Sequence, residues 1–198
     1  SIEDTILVGI KNIDAAYFKH NGEELFAFNF LTDSLKKTSE FYDQNGNSLE
    51  RTFLKSTVRF SNISSRYNLK RRIAYYGNKV RPHKGTDFAA PTGTPIMATA
   101  DGRVEKSAYT RANGYYVKIK HNDTYSTQYL HMQKNGRVKK GQYVKQGDVI
   151  GRIGMTGNTS GPHVCYRFWK NNRQVDPFKQ KLPAGKPVPS ELKVNFEI

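Results

Sequence analysis

The stretch that most constrains this chain is GPHVCYRFW, Gly161 to Trp169. Val, Cys, Tyr, Phe and Trp crowd together behind a run of turn formers (Thr156, Gly157, Asn158, Ser160, Gly161, Pro162), which predicts a strand. Successive strand side chains point to opposite faces, so Val164, Tyr166 and Phe168 share an apolar face suited to a core. His163, Cys165, Arg167 and Trp169 share the other. At a rise of about 3.3 Å per residue, His163 and Cys165 stand roughly 7 Å apart on that face. Two metal-binding side chains projecting the same way are the sharpest chemical statement in the sequence.

Strand follows strand through the middle of the chain. Thr94–Ala100, Val104–Ala108, Tyr115–Lys120, Tyr125–Met132 and Val149–Ile153 are punctuated by Asp101-Gly102, Asn113-Gly114, Asn122-Asp123 and Gly147-Asp148. Turn signals at this spacing predict a mainly β, antiparallel domain. Alternation within Tyr125–Met132 sets Thr127, Tyr129 and His131 on one face, while His121, at the edge of a turn, is expected to tie backbone carbonyls. Residues 1–57 carry shorter runs, Thr5–Ile10, Ala15–Phe18 and Leu25–Phe30, with turns at Asn21-Gly22 and Asn45-Gly46-Asn47. They contain no nucleophile, ligand cluster or phosphate loop, and predict a small β accessory domain. The expected division is therefore 1–57, a main domain over 58–178, and a Pro-rich extension over 179–198. In that extension Pro183, Pro187 and Pro189 make a connector, and Leu192–Ile198 adds a terminal strand against the accessory unit.

Charge is distributed unevenly between these parts. Residues 1–57 hold 6 Lys+Arg against 9 Asp+Glu, and residues 58–198 hold 26 against 8, within a net charge of +15. The larger part therefore faces a polyanion or an acidic surface. Basic residues concentrate from Arg59 to Lys84 with Tyr67, Tyr75 and Tyr76 among them. No helix-turn-helix, zinc-finger spacing or RNA-binding aromatic motif accompanies them, so nucleic acid is not the expected partner. No run of 18 apolar residues predicts a transmembrane helix, and no signal peptide opens the chain. Ser1 is not a start methionine, so the chain reads as processed or trimmed, and an exported origin is compatible with it. The single cysteine, Cys165, rules out an internal disulfide.

Upstream, Pro82-His-Lys-Gly-Thr-Asp-Phe-Ala-Ala-Pro91 places His83 and Asp87 four residues apart. Pro82, Gly85 and Pro91 argue against a helix, yet in an extended segment positions four apart also share a face. Taken alone, the pair is satisfied by a packed histidine and a turn-forming aspartate. It gains weight because His163 and Cys165 need partners, and histidine, carboxylate and thiolate are the usual zinc ligands.

His83-Lys-Gly-Thr-Asp87, Gln128-Tyr-Leu-His131 and Gly161-Pro-His163-Val-Cys165 together resemble the three motifs of the lysostaphin-type (LytM-like) zinc endopeptidases of peptidoglycan. Ala90-Pro-Thr-Gly-Thr-Pro95, Ala100-Asp-Gly-Arg-Val104, Val144-Lys-Gln-Gly-Asp-Val-Ile-Gly151 and Gly154-Met-Thr-Gly157 are similar too, so the likeness runs from about Val58 to Phe178. Residues 40–66 resemble the segment preceding the peptidase domain in Gram-negative envelope members. The resemblance implies a β-sheet groove of duplicated hybrid motif, one zinc ion, peptidoglycan peptide stems as substrate, and a periplasmic, envelope or secreted location.

Carried over position by position, it makes His83 and Asp87 zinc ligands and places His131 and His163 beside the reacting water. The third ligand of the family is the second histidine of a His-x-His pair, and here that position is Cys165. Thiolate is a permitted zinc ligand, but it makes the ligand set with zinc neutral where two histidines and one carboxylate leave +1. That weakens the acidification of water and implies a poorer nucleophile at a given pH. Tyr129 and Arg167, which share strand faces with His131 and with Cys165, are the expected substrate contacts. The alternatives are an inactive member that binds cell wall or regulates an amidase, a Cys165–His163 cysteine protease, and a basic nucleic-acid-binding module. The protease reading is weakened because two same-face neighbours on one strand pair poorly as nucleophile and base.

Overall fold

A computed structural model describes residues 13–20, 22–33, 38–49, 53–72, 77–182, 185 and 187–196. The chain separates into two units, Ser1–Thr52 with Leu182–Ile198, and Phe53–Lys181. The strand expected over Thr5–Ile10 and the aromatic pair Tyr75 and Tyr76 lie outside the described residues.

The first unit is an antiparallel meander of β1 (Ala15–His20), β2 (Glu23–Asp33) and β3 (Thr38–Tyr42). Beyond β3 the chain turns on Asp43, whose Oδ1 accepts the backbone N–H of Asn45 and Asn47 at 2.8 and 2.9 Å. Side chain-to-backbone bonds of this kind replace a ladder and reverse the chain. The C-terminal segment returns here, as expected, but as a 3₁₀ helix over Ser190–Phe196 rather than a strand. Leu192 N–H donates to Pro189 O, and Pro187 and Pro189 just before the segment have no N–H to offer a ladder. Phe196 packs edge-on against Phe30 and Tyr42, with ring centroids 5.1 and 5.7 Å apart.

The second unit is built on one antiparallel sheet. Its strands are β4 (Asn62–Ser65), β5 (Thr86–Ala89), β7 (Gly102–Thr110), β8 (Gly114–Lys120), β9 (Tyr125–Met132), β10 (Tyr143–Val144) and β12 (His163–Lys170), in the order β10-β7-β8-β9-β12-β5-β4. A short β13 (Arg173–Val175) pairs with β12, and β6 (Pro95–Met97) pairs with β11 (Val149–Arg152) as a separate ribbon. The expected mainly β, antiparallel architecture is what the chain adopts.

Alternation decides what β12 buries. Val164, Tyr166 and Phe168 are 0, 3 and 1 % exposed and lie in the core with Val104, Val117, Ile119 and Tyr129. Burying each such side chain contributes about 1.5–3 kcal/mol. Strand β12 also changes neighbours along its length. His163–Tyr166 pair with β5, whereas Tyr166–Lys170 pair with β9. One strand thereby ties the Asp87 segment to the His131 segment.

Candidate metal centre

The register between β5 and β12 sets Cys165 directly opposite Asp87, on the face away from Tyr166. His83 enters just before β5 and is fixed by reciprocal backbone bonds with Asn68, at 2.8 and 2.9 Å. Cross-strand partners on one face approach closely. The donor atoms of His83, Asp87 and Cys165 all lie within 4.8 Å of one another. His83 Nε2 is 3.0 Å from Asp87 Oδ1 and 3.6 Å from Cys165 Sγ. The four-residue spacing of His83 and Asp87 thus reads as an extended segment aiming two side chains at one point.

This cluster fits a metal better than it fits its own members. His83 Nδ1 lies 3.0 Å from the carbonyl of Arg66, which can only accept, so Nδ1 carries the proton and Nε2 turns a lone pair towards the cluster. Asp87 Oδ1 is buried and has no hydrogen-bond partner. Burial opposes the charge on Asp87, yet the bonding and positive charge that His83 and His163 can offer hold its pKa below the usual carboxylate value. Burial, reinforced by Asp87, pushes the Cys165 thiol up to about 12. Carboxylate and thiolate can share this pocket only around a cation. Tetrahedral zinc with bonds of about 2.0–2.3 Å needs ligand atoms roughly 3.3–3.8 Å apart, close to what the cluster presents. Cysteine in the third position is therefore within reach of the same ion.

Across the groove stand the two remaining histidines. Their rings are 4.8 Å apart, and His163 Nε2 is 3.8 Å from Asp87 Oδ1. His163 Nδ1 faces Gly161 O at 2.8 Å and His131 Nδ1 faces Thr156 O at 2.8 Å. In the neutral form of each ring the proton therefore sits on Nδ1 and Nε2 is the free nitrogen. Burial lowers the pKa of His131, outweighing the Thr156 carbonyl that favours its protonated form.

Strict alternation fails at His131. Tyr129, two residues earlier, faces the core opposite Tyr166, is 0 % exposed, and its hydroxyl meets Thr99 Oγ1 at 2.9 Å. It cannot contact substrate, which corrects the expectation drawn from a shared strand face. His131 escapes that face because its φ is +61°, a left-handed conformation uncommon outside glycine that is recurrent at functional sites. The turn re-aims the imidazole into the groove. Arg167 lines the groove. His121 takes the structural place foreseen for it, with Nδ1 2.7 Å from Asp101 O.

Several contributing residues were not singled out from the sequence. Gly85 is one: a Cβ there would lie 2.8 Å from Cys165 Sγ, so the middle of His83-Lys-Gly-Thr-Asp87 must be bare for the sulfur to enter. Its invitation was the glycine itself, between two candidate ligands. Gly114 and Gly157 are another pair, since a Cβ on either would come within 2.2 Å of the other's loop. Their contact carries Thr156 O to His131. The resulting groove has a volume of about 480 Å³ and is lined by all five clustered residues together with Arg71, Arg81 and Asn113.

Comparison with known proteins follows the same outline. The family model described as peptidase family M23 matches residues 81–177. The peptidoglycan DD-endopeptidase ShyC of Vibrio cholerae is 42% identical over 190 residues, 96% of this chain and 42% of the relative. A zinc-containing peptidase from Vibrio cholerae, solved by crystallography, is 40% identical with a TM-score of 0.63, over 87% of this chain and 51% of that one. A mutant of the catalytic domain of the prophage-encoded M23 protein EnpA from Enterococcus faecalis is 34% identical with a TM-score of 0.50, over 65% of this chain and 95% of that domain. The chain spans less than half the length of the curated endopeptidase it matches.

Proposed function

Since this chain belongs to peptidase family M23, we propose that it is a zinc-dependent endopeptidase that hydrolyses the peptide cross-links of peptidoglycan, acting outside the cytoplasm in the periplasm or envelope. The observation that supports this most directly is the convergence of His83, Asp87 and Cys165 within 4.8 Å, with His131 and His163 paired beside them. In this reading His83 Nε2, an Asp87 carboxylate oxygen and Cys165 Sγ hold a single zinc ion. Bound there, zinc would supply the Lewis acidity that amide hydrolysis needs.

The rest of the chemistry falls to the chain's own groups. His131 is neutral at pH 7 because burial disfavours its charge, and the Thr156 carbonyl keeps its proton on Nδ1. Its Nε2 can therefore take a proton from the attacking water and return it to the leaving amine. His163 is held in the same tautomer by Gly161 O, beside Asp87. Its Nε2 would accept a hydrogen bond from the attacking water and orient it for proton transfer to His131. The backbone carbonyls act as positioning groups: they fix which nitrogen faces the substrate.

The test is muropeptide release from purified Gram-negative sacculi by the zinc-supplemented protein under reducing conditions, with and without a chelator. Chelator-sensitive appearance of uncross-linked stem peptides is the expected result. A folded, zinc-loaded protein that releases nothing would sink the catalytic reading and leave a wall-binding groove.

A further inference from the structure

The charge of the groove exceeds what metal chemistry requires. Asp87 is the one acidic residue among the described residues that line it, and it belongs to the ligand cluster. Against it stand Arg71, Arg81, Lys84 and Arg167. Arg167 follows Cys165 by two positions on β12 and projects from the same face, so its backbone is roughly 7 Å from that of the sulfur ligand. Its Nε is buried and has no hydrogen-bond partner. The guanidinium as a whole is half-buried and its charge bears on Cys165 Sγ, so its remaining donors are open to a further anion. Arg71 is differently held. Its Nε donates to Arg81 O at 3.3 Å and its Nη1 reaches Ser65 Oγ at 3.5 Å, the hydroxyl that also faces His83 Nδ1 at 3.0 Å. One guanidinium is thus braced against the shell of a ligand histidine, and the other stands incomplete beside the sulfur.

We propose that this groove selects a peptide carrying a free carboxylate on a residue flanking the scissile amide, and that Arg167 is the specificity-determining group that receives it. The inference rests on the endopeptidase reading and narrows its substrate. A guanidinium offers a planar fork of donors that matches a carboxylate bidentately, whereas an amide at the same place supplies only one neutral acceptor and its own competing donors. Arg167 is anchored close enough to the cluster to reach no further than a residue from the reacting carbonyl. Arg71, Arg81 and Lys84 raise the local concentration of an acidic stem peptide without fixing its register.

The experiment uses the full chain, zinc-loaded, and two synthetic cross-linked stem peptides. They differ only in that the carboxyl group beside the scissile amide is free in one and amidated in the other. Cleavage rates and calorimetric Kd values are measured for the wild type, Arg167→Gln and Arg167→Lys. The wild type is expected to prefer the free acid by about tenfold to a hundredfold in both readouts, the range of a charged hydrogen-bonded pair. Arg167→Gln collapses that ratio chiefly through KM, and Arg167→Lys restores part of it. Equal Kd and equal cleavage of acid and amide by the wild type overturn the proposal, as does a preference that survives in Arg167→Gln. Acid-selective binding without cleavage of either peptide supports the proposal while overturning the catalytic reading on which it was built.

Discussion

In the proposed zinc site Cys165 would govern how firmly the ion is held, because its sulfur is the one donor atom of the cluster that arrives from β12. Losing an outer-shell partner of a metal ligand typically costs about 10–100-fold in affinity, so losing a direct ligand costs more. Cys165→Ala is therefore expected to weaken zinc binding by more than about a hundredfold while leaving the sheet intact, since the side chain is small. Competition with a chromophoric chelator measures this, and unchanged affinity would remove the sulfur from the ligand set. His121 carries a second prediction. Burial lowers its pKa from 6.5 to about 4, against the pull of the Asp101 carbonyl. In the unfolded chain it takes up a proton near pH 6.5, whereas in the fold it stays neutral until about 4. Its contribution is thus complete above pH 6.5 and is lost as pH falls towards 4, up to about 3 kcal/mol in all. In His121→Gln the loss of stability between those two pH values is expected to be smaller than in the wild type, as read by urea unfolding at a series of pH values. Parallel pH profiles would contradict the assignment.

Among the elements, the end of β9 is the sensitive point, because His131 must leave the core face within two residues of Tyr129. The loop after β11 makes that possible: Gly157 has a φ of +81° and abuts Gly114 so closely that neither tolerates a side chain. Gly157→Ala is expected to destabilise the unit by about 1–3 kcal/mol through strain and overlap, and to reduce turnover as Thr156 O moves away from His131. Zinc stoichiometry should hold, because Asp87 and Cys165 stand on β5 and β12 and His83 just before β5; loss of zinc with loss of activity would show that the two halves of the site are not separable. The same elements show what the residues made legible beforehand. Alternation in GPHVCYRFW placed Val164, Tyr166 and Phe168 in the core and set His163 and Cys165 on the opposite face, where Cys165 is buried as well, since a paired strand obeys a period of two. His131 and Tyr129 defeated that rule, because a single left-handed residue reverses a face and no local pattern announces it. Gly85 and Gly157 announced only that a bare position was wanted. Their meaning lies in which strand or loop approaches them, and that is a property of the tertiary fold.

At the scale of the whole molecule, the first unit is discontinuous in sequence. The return of Phe196 to Phe30 and Tyr42 joins the last residues to the first strands, while the metal cluster lies wholly within Phe53–Lys181. The aromatic docking was foreseeable only as a possibility, because the closing residues carry one phenylalanine and no turn signal that names a partner. A ligand stabilises the unit that binds it and no other, by RT ln(1 + [L]/Kd), or about 2.7 kcal/mol at a free concentration a hundred times Kd. If the two units unfold separately, calorimetry resolves two transitions, and zinc raises only that of the second unit, by roughly 10 °C at such an excess. Phe196→Ala provides the complementary perturbation. Removing a buried aromatic ring costs about 3–5 kcal/mol at full burial and less at this partly covered site, so the first transition should fall while the zinc-sensitive one stays in place. Zinc and Phe196→Ala moving the same single transition would instead mean that the two units fold as one cooperative body, so that the metal stabilises the N-terminal meander as well.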